Sequence, residues 1–476
     1  MNKRTVSRTL TIGSLITVGA LALAGCSSSQ NASTSADYMR NANAKQVTLV
    51  ITANAIAGGK NDAEASWIQN WVIPRFTKAE KAKGVDITVN FQPNGVDDQQ
   101  YLTKISLAMR SGTGADITAV DGIWVGELAD AGSIKPLDDV VGKATVDTWS
   151  GWSEIKKSVQ QITTYDGQSY GIPDGTDGRV LFYNKKLFEQ AGISVPWQPT
   201  SWHDIIAAGN KLKALSGVTP LQINAGTAMG EATTMQGVLP LLAGTGTELF
   251  NSQTNKWLGG GSGLEAVLNF YSKIYGSDKL GNPVLQQETS GRQNSFNEFA
   301  DGKIGILMES DYLWRSVLNP QTGIAPMADR NSAVGWALIP AEKPGSGLGG
   351  KDFVSLSGGS GWVISPKTKY PQQAWDLLTF MSSKDALLAR LKAQPQISAR
   401  DDVNKELLSS DPLLTFIADK VLPVTMYRPS EAAYTQVSTA LQEATAAIVS
   451  GQSVSQAMQT YRSALVAAVG SSHVEN

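Results

Sequence analysis

Cysteine and histidine are nearly absent from this chain, since its 476 residues include one Cys and two His. One thiol excludes an internal disulfide, and His203 and His473 are too few for a catalytic triad or a zinc site built on histidine. Basic residues are not in excess either, because 40 Lys and Arg stand against 42 Asp and Glu. A chain without a basic patch is not expected to bind nucleic acid.

Long apolar runs are also missing after residue 24. The first 25 residues have the composition of a secretory signal peptide, because basic residues precede an uncharged apolar stretch shorter than the ~20 residues that span a bilayer. The segment LAGC, which ends at Cys26, resembles the lipobox of bacterial lipoproteins. That resemblance implies an acylated Cys26 at the mature N-terminus, and the alternative is an unmodified cysteine inside a signal sequence.

The segment 26–46 is rich in Ser, Asn and Ala and has no apolar period, so we expect a flexible tether. An acylated Cys26 on such a tether predicts a folded part held at the extracytoplasmic face of a cell membrane. The length of the tether favours a Gram-positive-like cell surface.

Tryptophan is plentiful, with twelve residues, and short β-branched runs alternate with helical patterns. Roughly 430 residues follow the tether, more than one compact core usually holds, so two lobes are expected. Strands that alternate with helices predict parallel sheets with crossover helices. The strand candidates are 47–53, 85–91, 116–120, 179–184, 303–308, 334–339 and 361–365. Ser201 with Asp204, and Ser453 with Gln456, predict helix N-termini.

Several short catalytic motifs occur in the chain, but the neighbouring residues that the corresponding sites require are missing. The segment 345–350 fits GxGxxG but precedes a strand-like run and opens no helix, so it predicts a loop. No Gly-Lys pair is followed by Ser or Thr, which excludes a P-loop. The segment 153–156 fits S-x-x-K without the accompanying S-D-N and K-T-G motifs. A glycoside hydrolase that uses a pair of carboxylates is not excluded by the sequence.

Several motifs follow one another in a fixed order in the middle of the chain. They are Tyr-Asp-Gly at 165–167, Tyr-Gly-Ile-Pro at 170–173, Leu-Phe-Tyr-Asn-Lys at 181–185 and a helix start at 200–202. This order resembles the family 1 extracellular solute-binding proteins, the carbohydrate receptors of ABC importers. Later landmarks of that family resemble 111–139, 299–314, 358–368, 374–383 and 427–434.

The resemblance implies an α/β fold of the periplasmic-binding-protein type. Two lobes, each a mainly parallel sheet flanked by helices, are joined by hinge strands around a ligand cleft. We expect the chain to cross between lobes near Asp174, Ser310 and Met381. The expected segments are 47–174 and 311–381 for the first lobe, and 175–310 and 382–476 for the second.

Sugar sites use carboxylates, amides and Arg for the hydroxyl groups, and flat aromatic rings for the C–H faces. Residues that follow predicted strands are candidates, because strand ends meet at a ligand crevice. They are Asn54, Asn94, Asp97, Asp121, Trp124, Asp174, Asp177, Glu309, Tyr312, Trp314, Trp362 and Arg428. The alternatives are structural: a helix cap for Asp121, solvated turns, an interlobe ion pair for Arg428, and core packing for the tryptophans.

The sequence thus predicts the substrate-binding lipoprotein of an ABC importer, which captures an oligosaccharide or disaccharide and delivers it to a membrane permease. We expect a monomer without enzymatic activity, cofactor or bound metal. Two alternatives stay open: a lipid-anchored glycoside hydrolase, and the same fold with a non-sugar solute such as a polyol.

Overall fold

The computed structural model describes residues 37–59, 61–96, 98–392 and 394–475. The strands are β1 (Gln46–Ala53), β2 (Asp86–Pro93), β3 (Ile117–Asp121), β4 (Thr164–Tyr165), β5 (Gln168–Ser169), β6 (Gly171–Thr176), β7 (Arg179–Asn184), β8 (Thr219–Gln222), β9 (Phe250–Asn251), β10 (Lys256–Leu258), β11 (Ile304–Ser310), β12 (Val334–Ala337), β13 (Ile339–Pro340), β14 (Phe353–Ser357), β15 (Gly359–Ile364), β16 (Ile397–Ser398), β17 (Thr425–Tyr427) and β18 (Val474–Glu475).

The α-helices, several of them extended by short 3-10 or π turns, alternate with these strands. They are α1 (Asp62–Trp67), α2 (Ile73–Ala82), α3 (Asp98–Ser111), α4 (Val125–Asp130), α5 (Lys143–Asp147), α6 (Lys157–Gln160), α7 (Lys185–Gln190), α8 (Trp202–Leu212), α9 (Glu231–Thr233), α10 (Leu239–Gly244), α11 (Ser262–Ser272), α12 (Gly291–Ala300), α13 (Arg330–Ala333), α14 (Pro371–Met381), α15 (Lys384–Leu391), α16 (Asp401–Leu407), α17 (Pro412–Phe416), α18 (Tyr434–Val449) and α19 (Val454–Val469). None of these helices is both long and apolar enough to cross a membrane.

The expected signal peptide and Cys26 lie outside the described residues, but the end of the expected tether does not. The guanidinium of Arg40 donates to the carbonyls of Thr368 and Pro366 at 2.7 and 2.8 Å. The side chain of Gln373 donates to the carbonyls of Asn41 and Ala42, both at 3.0 Å. Residues 40–42 therefore lie against the folded part, because the Arg40 side chain donates to it and the carbonyls of Asn41 and Ala42 accept from it.

The first lobe is built on a six-stranded mixed sheet in the order β16-β6-β15-β3-β1-β2. β1 pairs in parallel with β2 and β3, whereas β15 and β6 run antiparallel to their neighbours. Its core contains Trp67 and Phe76 from the helical segment after β1, with Trp362 and Trp375 from the later part of the chain. The parallel strands place three strand ends at the same edge.

The second lobe is built on a four-stranded sheet in the order β12-β7-β11-β8. Every residue of β7 and β11 is buried, because helices cover both faces of this sheet. The helices α8, α10, α11, α18 and α19 pack on one face. A small sheet in the order β13-β14-β17 lies beside it.

The chain crosses from one lobe to the other close to the first of the three expected positions, Asp174, but not at Ser310 or Met381. β6 belongs to the first sheet and β7 to the second, so a crossing lies at 177–178, close to the expected Asp174. β12 pairs with β7 in the second sheet, and β15 pairs with β3 and β6 in the first. The chain therefore stays in the second lobe past Ser310 and returns at Gly358. It remains in the first lobe past Met381, because β16 pairs with β6.

Candidate ligand-binding site

A pocket of about 190 Å³ lies at the edge of the first sheet where β1, β2 and β3 end. Polar residues just beyond parallel strands converge at such an edge. The residues expected from the sequence that line this pocket are Asn54, Asp121, Trp124, Asp174 and Trp362. Asp97, also expected here, lies outside the described residues.

Asp121 is the last residue of β3, and only one of its two carboxylate oxygens is hydrogen-bonded to a described residue of the protein. Its Oδ1 accepts from the N–H of Ile123 at 3.1 Å, as a helix cap, and from Nη2 of Arg428 at 3.2 Å. Its Oδ2 has no hydrogen-bond partner in the described part of the chain, and 39% of the side chain is exposed. Burial raises the pKa of the Asp121 carboxyl, although Arg428 opposes this. Oδ2 can therefore accept a hydrogen bond from a ligand hydroxyl.

Arg428 connects the two lobes. Its Nη1 donates to Glu231 at 3.1 Å, and the same carboxylate accepts from the hydroxyls of Tyr434 at 2.5 Å and Ser438 at 2.6 Å. Glu231, in α9, belongs to the second lobe, and Asp121 belongs to the first. Only 8% of the Arg428 side chain is exposed. The guanidinium therefore forms an interlobe ion pair, which is the structural alternative considered for this residue.

A second arginine holds the other wall of the pocket. Arg390, in α15, forms ion pairs with Glu64, at 2.7 Å, and with Asp174. Burial raises the pKa of the Glu64 carboxyl against the opposing charge of Arg390, and the nearby Asp174 raises it further. Each carboxylate uses one oxygen for Arg390, so the other remains available at the pocket.

The aromatic surface of the pocket comes from three rings. Trp124 is 9% exposed, and its ring lies 6.2 Å from that of Tyr101 at an angle of 49°. The hydroxyl of Tyr101 donates to the carbonyl of Ala119 at 3.1 Å, which fixes the ring. Trp362 is 2% exposed and packs in the first-lobe core, although it also lines the pocket.

At the corresponding edge of the second lobe, Glu309 near the end of β11 is fully buried. Arg292 binds it through two hydrogen bonds of 2.8 and 2.9 Å, and Asn224 donates to it at 3.0 Å. Burial alone would raise the pKa of Glu309, but Arg292 and these hydrogen bonds lower it. Glu309 therefore orients Arg292, whose side chain is 32% exposed. Tyr312, also expected here, is half-buried beside the ring of Phe296 at 6.5 Å.

Asp177 lies at the hinge and not in the pocket. Its Oδ1 accepts from the N–H of Gly358 at 2.6 Å and forms an ion pair with Arg179. Gly358 is the second point at which the chain changes lobe. The Asp177 side chain therefore ties two hinge segments together.

Two further candidates are packed within the protein. Asn94 is buried, and its amide donates to Thr52 at 3.0 Å and to the carbonyl of Ala53 at 3.1 Å. Trp314 is 1% exposed in the second-lobe core, and its Nε1 donates to Asp411 at 3.1 Å. A π-helical turn that contains Trp314 follows β11, and the Trp314 ring packs in the core, which is the structural alternative considered for this residue.

Sequence reasoning missed several lining residues on helices. They are Asn61, Glu64, Asp98 and Tyr101, together with Arg390 behind the pocket. The signal that could have found the first four is the start of a helix directly after a parallel strand, since α1 follows β1 and α3 follows β2, whereas Arg390 lies in the last turn of α15 and has no such signal. The starts of such helices face the same edge as the strand ends.

The pocket thus offers carboxylate oxygens as acceptors beside aromatic residues, which suits a ligand with hydroxyl groups and C–H surfaces. Among the described residues, no group of three His, Cys, Asp or Glu side chains is arranged to hold a metal ion. Two α/β lobes that meet at an arginine-bridged cleft define the class of two-lobed ligand-binding proteins.

The chain belongs to the bacterial extracellular solute-binding proteins, because the model of that family matches residues 76–415. A binding protein of Brucella abortus is 28% identical over 310 residues, which are 65% of this chain and 67% of that protein. A maltooligosaccharide ABC transporter solute-binding lipoprotein of Streptococcus pneumoniae is 26% identical over 309 residues, 63% of each chain.

Solved structures confirm the expected fold class. The cyclic α-maltosyl-1,6-maltose binding protein of Arthrobacter globiformis superposes with a TM-score of 0.69 at 18% identity, over 90% of this chain and 99% of that one. The GacH receptor of Streptomyces glaucescens gives a TM-score of 0.66 at 18% identity, over 90% and 99%.

Proposed function

We propose that this protein captures an oligosaccharide or disaccharide between its lobes and delivers it to the permease of an ABC importer. The observation that carries the proposal is the pocket in which Asp121 offers a free acceptor beside Trp124, under an arginine that reaches both lobes. Relatives that are named for lactose and for maltooligosaccharides support a sugar as the ligand.

Ligand capture and lobe closure are coupled through Asp121, which Arg428 connects to Glu231 of the second lobe. A sugar that donates to Asp121 Oδ2 binds a carboxylate that Arg428 holds in place only when the lobes are together. Such a ligand stabilises the closed arrangement, since it binds that arrangement better than the open one. The permease then has a surface that distinguishes loaded from empty protein.

Calorimetric titration of the purified protein with maltose, maltotriose, lactose, N,N′-diacetylchitobiose and arabinobiose tests this function. We expect saturable binding of one sugar class and no new product by chromatography. In Asp121→Asn we expect about 10-fold to 100-fold weaker binding, because a hydrogen bond to a charged group contributes about 1.5–3 kcal/mol. Asp329→Asn, which changes an exposed carboxylate paired with Lys186, is the matched control. No binding of any sugar, or release of a cleaved product, would overturn the proposal.

We also propose that Cys26 carries a lipid that anchors a monomer at the extracytoplasmic face of the membrane. The sequence LAGC, the apolar stretch before it and the polar tether after it support this. Labelling of cells with an alkyne fatty acid should mark the protein and not Cys26→Ser. Equal labelling of both proteins would refute the anchor, and light scattering of the solubilised protein tests the monomer.

A further inference from the structure

The ionisable residues of the cleft include more carboxylates than guanidinium groups. Arg390 is shared by Glu64 and Asp174, and Arg428 is shared by Asp121 and Glu231. These two groups contain four carboxylates and two guanidinium groups, so they carry an excess of negative charge, and three of the four carboxylates line the pocket.

The carboxylates keep acceptor atoms that the protein does not use. Glu64 Oε1, Asp121 Oδ2 and Asp174 Oδ1 have no hydrogen-bond partner in the part of the chain that the structure describes. All three residues line the pocket, and none of these oxygens is among the sealed, unpartnered atoms of the protein. The pocket therefore presents acceptors to a ligand.

The arginines, in contrast, are each already balanced in charge by at least one carboxylate. Besides Arg390 and Arg428, each of which has two carboxylate partners, Arg179 pairs with Asp177, Arg292 with Glu309 and Arg315 with Asp311. An anionic ligand would have to share a guanidinium with the carboxylate that already balances it, or displace that carboxylate. Breaking a pair that is largely buried leaves a carboxylate uncompensated, which is strongly unfavourable.

We propose that this cleft selects its ligand by charge: it accepts neutral sugars, binds protonated amino sugars at least as well, and rejects uronic acids and sugar phosphates. The proposal rests on the proposed sugar-binding function and adds the charge class of the ligand. Glu64, Asp121 and Asp174 are the specificity-determining residues, because their free oxygens accept from hydroxyl or ammonium donors and repel carboxylate or phosphate groups.

The test is calorimetry with matched probes on the full protein. The neutral probes are maltose, lactose and N,N′-diacetylchitobiose. The anionic probes are maltose, lactose and N,N′-diacetylchitobiose with a carboxylate at C6 of the non-reducing ring. The cationic probe is fully deacetylated chitobiose, which should bind at least as tightly as N,N′-diacetylchitobiose. For the neutral sugar that binds best, we expect the carboxylate derivative to bind at least about 100-fold more weakly, which is about 2.7 kcal/mol.

The variant Glu64→Gln frees one face of Arg390 and removes a negative charge. We expect the ratio of the dissociation constants of the anionic and neutral probes to fall by about 10-fold, even if both affinities change. Asp329→Asn, an exposed charge change in the second lobe, should leave this ratio unchanged.

The outcomes separate the two proposals. A neutral sugar and its carboxylate derivative that bind within threefold of each other would overturn charge selection and leave sugar binding intact. Preference for the anionic probe would overturn charge selection as well. Failure of these probes and of every other sugar in the calorimetric panel to bind would overturn the sugar-binding function itself, and charge selection with it.

Discussion

Replacement of Arg428 by glutamine should shift the protein toward an open arrangement of its lobes. The guanidinium donates to Asp121 in the first lobe at 3.2 Å and to Glu231 in the second at 3.1 Å. Glutamine is shorter and uncharged, so it cannot hold both carboxylates. The contact with Asp121 is lost, and two carboxylates remain without a cation between them.

The size of this effect follows from the exposure of the three partners. Removal of one member of a fully buried ion pair costs about 3–5 kcal/mol, whereas an exposed pair contributes about 0–1 kcal/mol. Arg428 is 8% exposed, but the carboxylates of Asp121 and Glu231 are 39% and 36% exposed, so solvent screens them. We therefore expect the interlobe contact to contribute about 1–1.5 kcal/mol, which is roughly a 5-fold to 10-fold change in the ratio of open to closed protein.

Fluorescence energy transfer between dyes on the two lobes measures that ratio. Lys81, at the end of α2, and Lys211, in α8, are exposed and can be replaced by cysteine in a Cys26→Ser background. Arg428→Gln should increase the mean distance or its spread without ligand, while Lys186→Met, which removes an exposed ion pair, should not. An identical distance distribution in Arg428→Gln and the parent would refute the assignment of Arg428 as an interlobe contact.

Three further outcomes follow from individual residues. Trp314→Phe should lower the free energy of unfolding, measured in urea, by about 2–3 kcal/mol, because it removes buried volume and the hydrogen bond to Asp411. It should keep any sugar-induced fluorescence change, which Trp124→Phe should lose, and the reverse pattern would contradict the site. Burial raises the pKa of Asp311 to about 6, so the folded state binds the proton more tightly, and the contribution of Asp311 to stability, taken as the difference between the parent and Asp311→Asn, should fall by about 2 kcal/mol between pH 4 and pH 7. An equal pH dependence of stability in both proteins would contradict it. A Cβ on Gly126 would lie 1.4 Å from the carbonyl oxygen of Ser430, so Gly126→Ala should destabilise the protein by about 1–3 kcal/mol in thermal unfolding, and unchanged stability would show that the close approach is absent.

Elements with strong local signals could be predicted from the sequence. The strand expected at 179–184 has the same bounds in the structure. Ser201 accepts from the N–H of Asp204 at 3.3 Å, and Ser453 forms the expected capping box with Gln456. Such caps depend only on residues three apart, so the sequence contains the whole interaction.

Features that depend on distant partners could not be predicted. The return to the first lobe at Gly358 is set by the pairing of β15 with β3, far away in the sequence. The ion pair of Arg390 with Glu64 joins residues 326 positions apart and has no local signal. Trp314 follows a strand end, as Trp124 does, and both rings are buried, but only Trp124 also lines the pocket.

The central claim is that a sugar binds at the strand ends of the first lobe, against Asp121 and Trp124. A crystal structure of the protein with the tightest-binding sugar of the panel tests it most directly. The account predicts a sugar hydroxyl about 2.7–2.8 Å from Asp121 Oδ2, with a ring face against Trp124. A sugar bound elsewhere, with Asp121 and Trp124 free of contact, would contradict it.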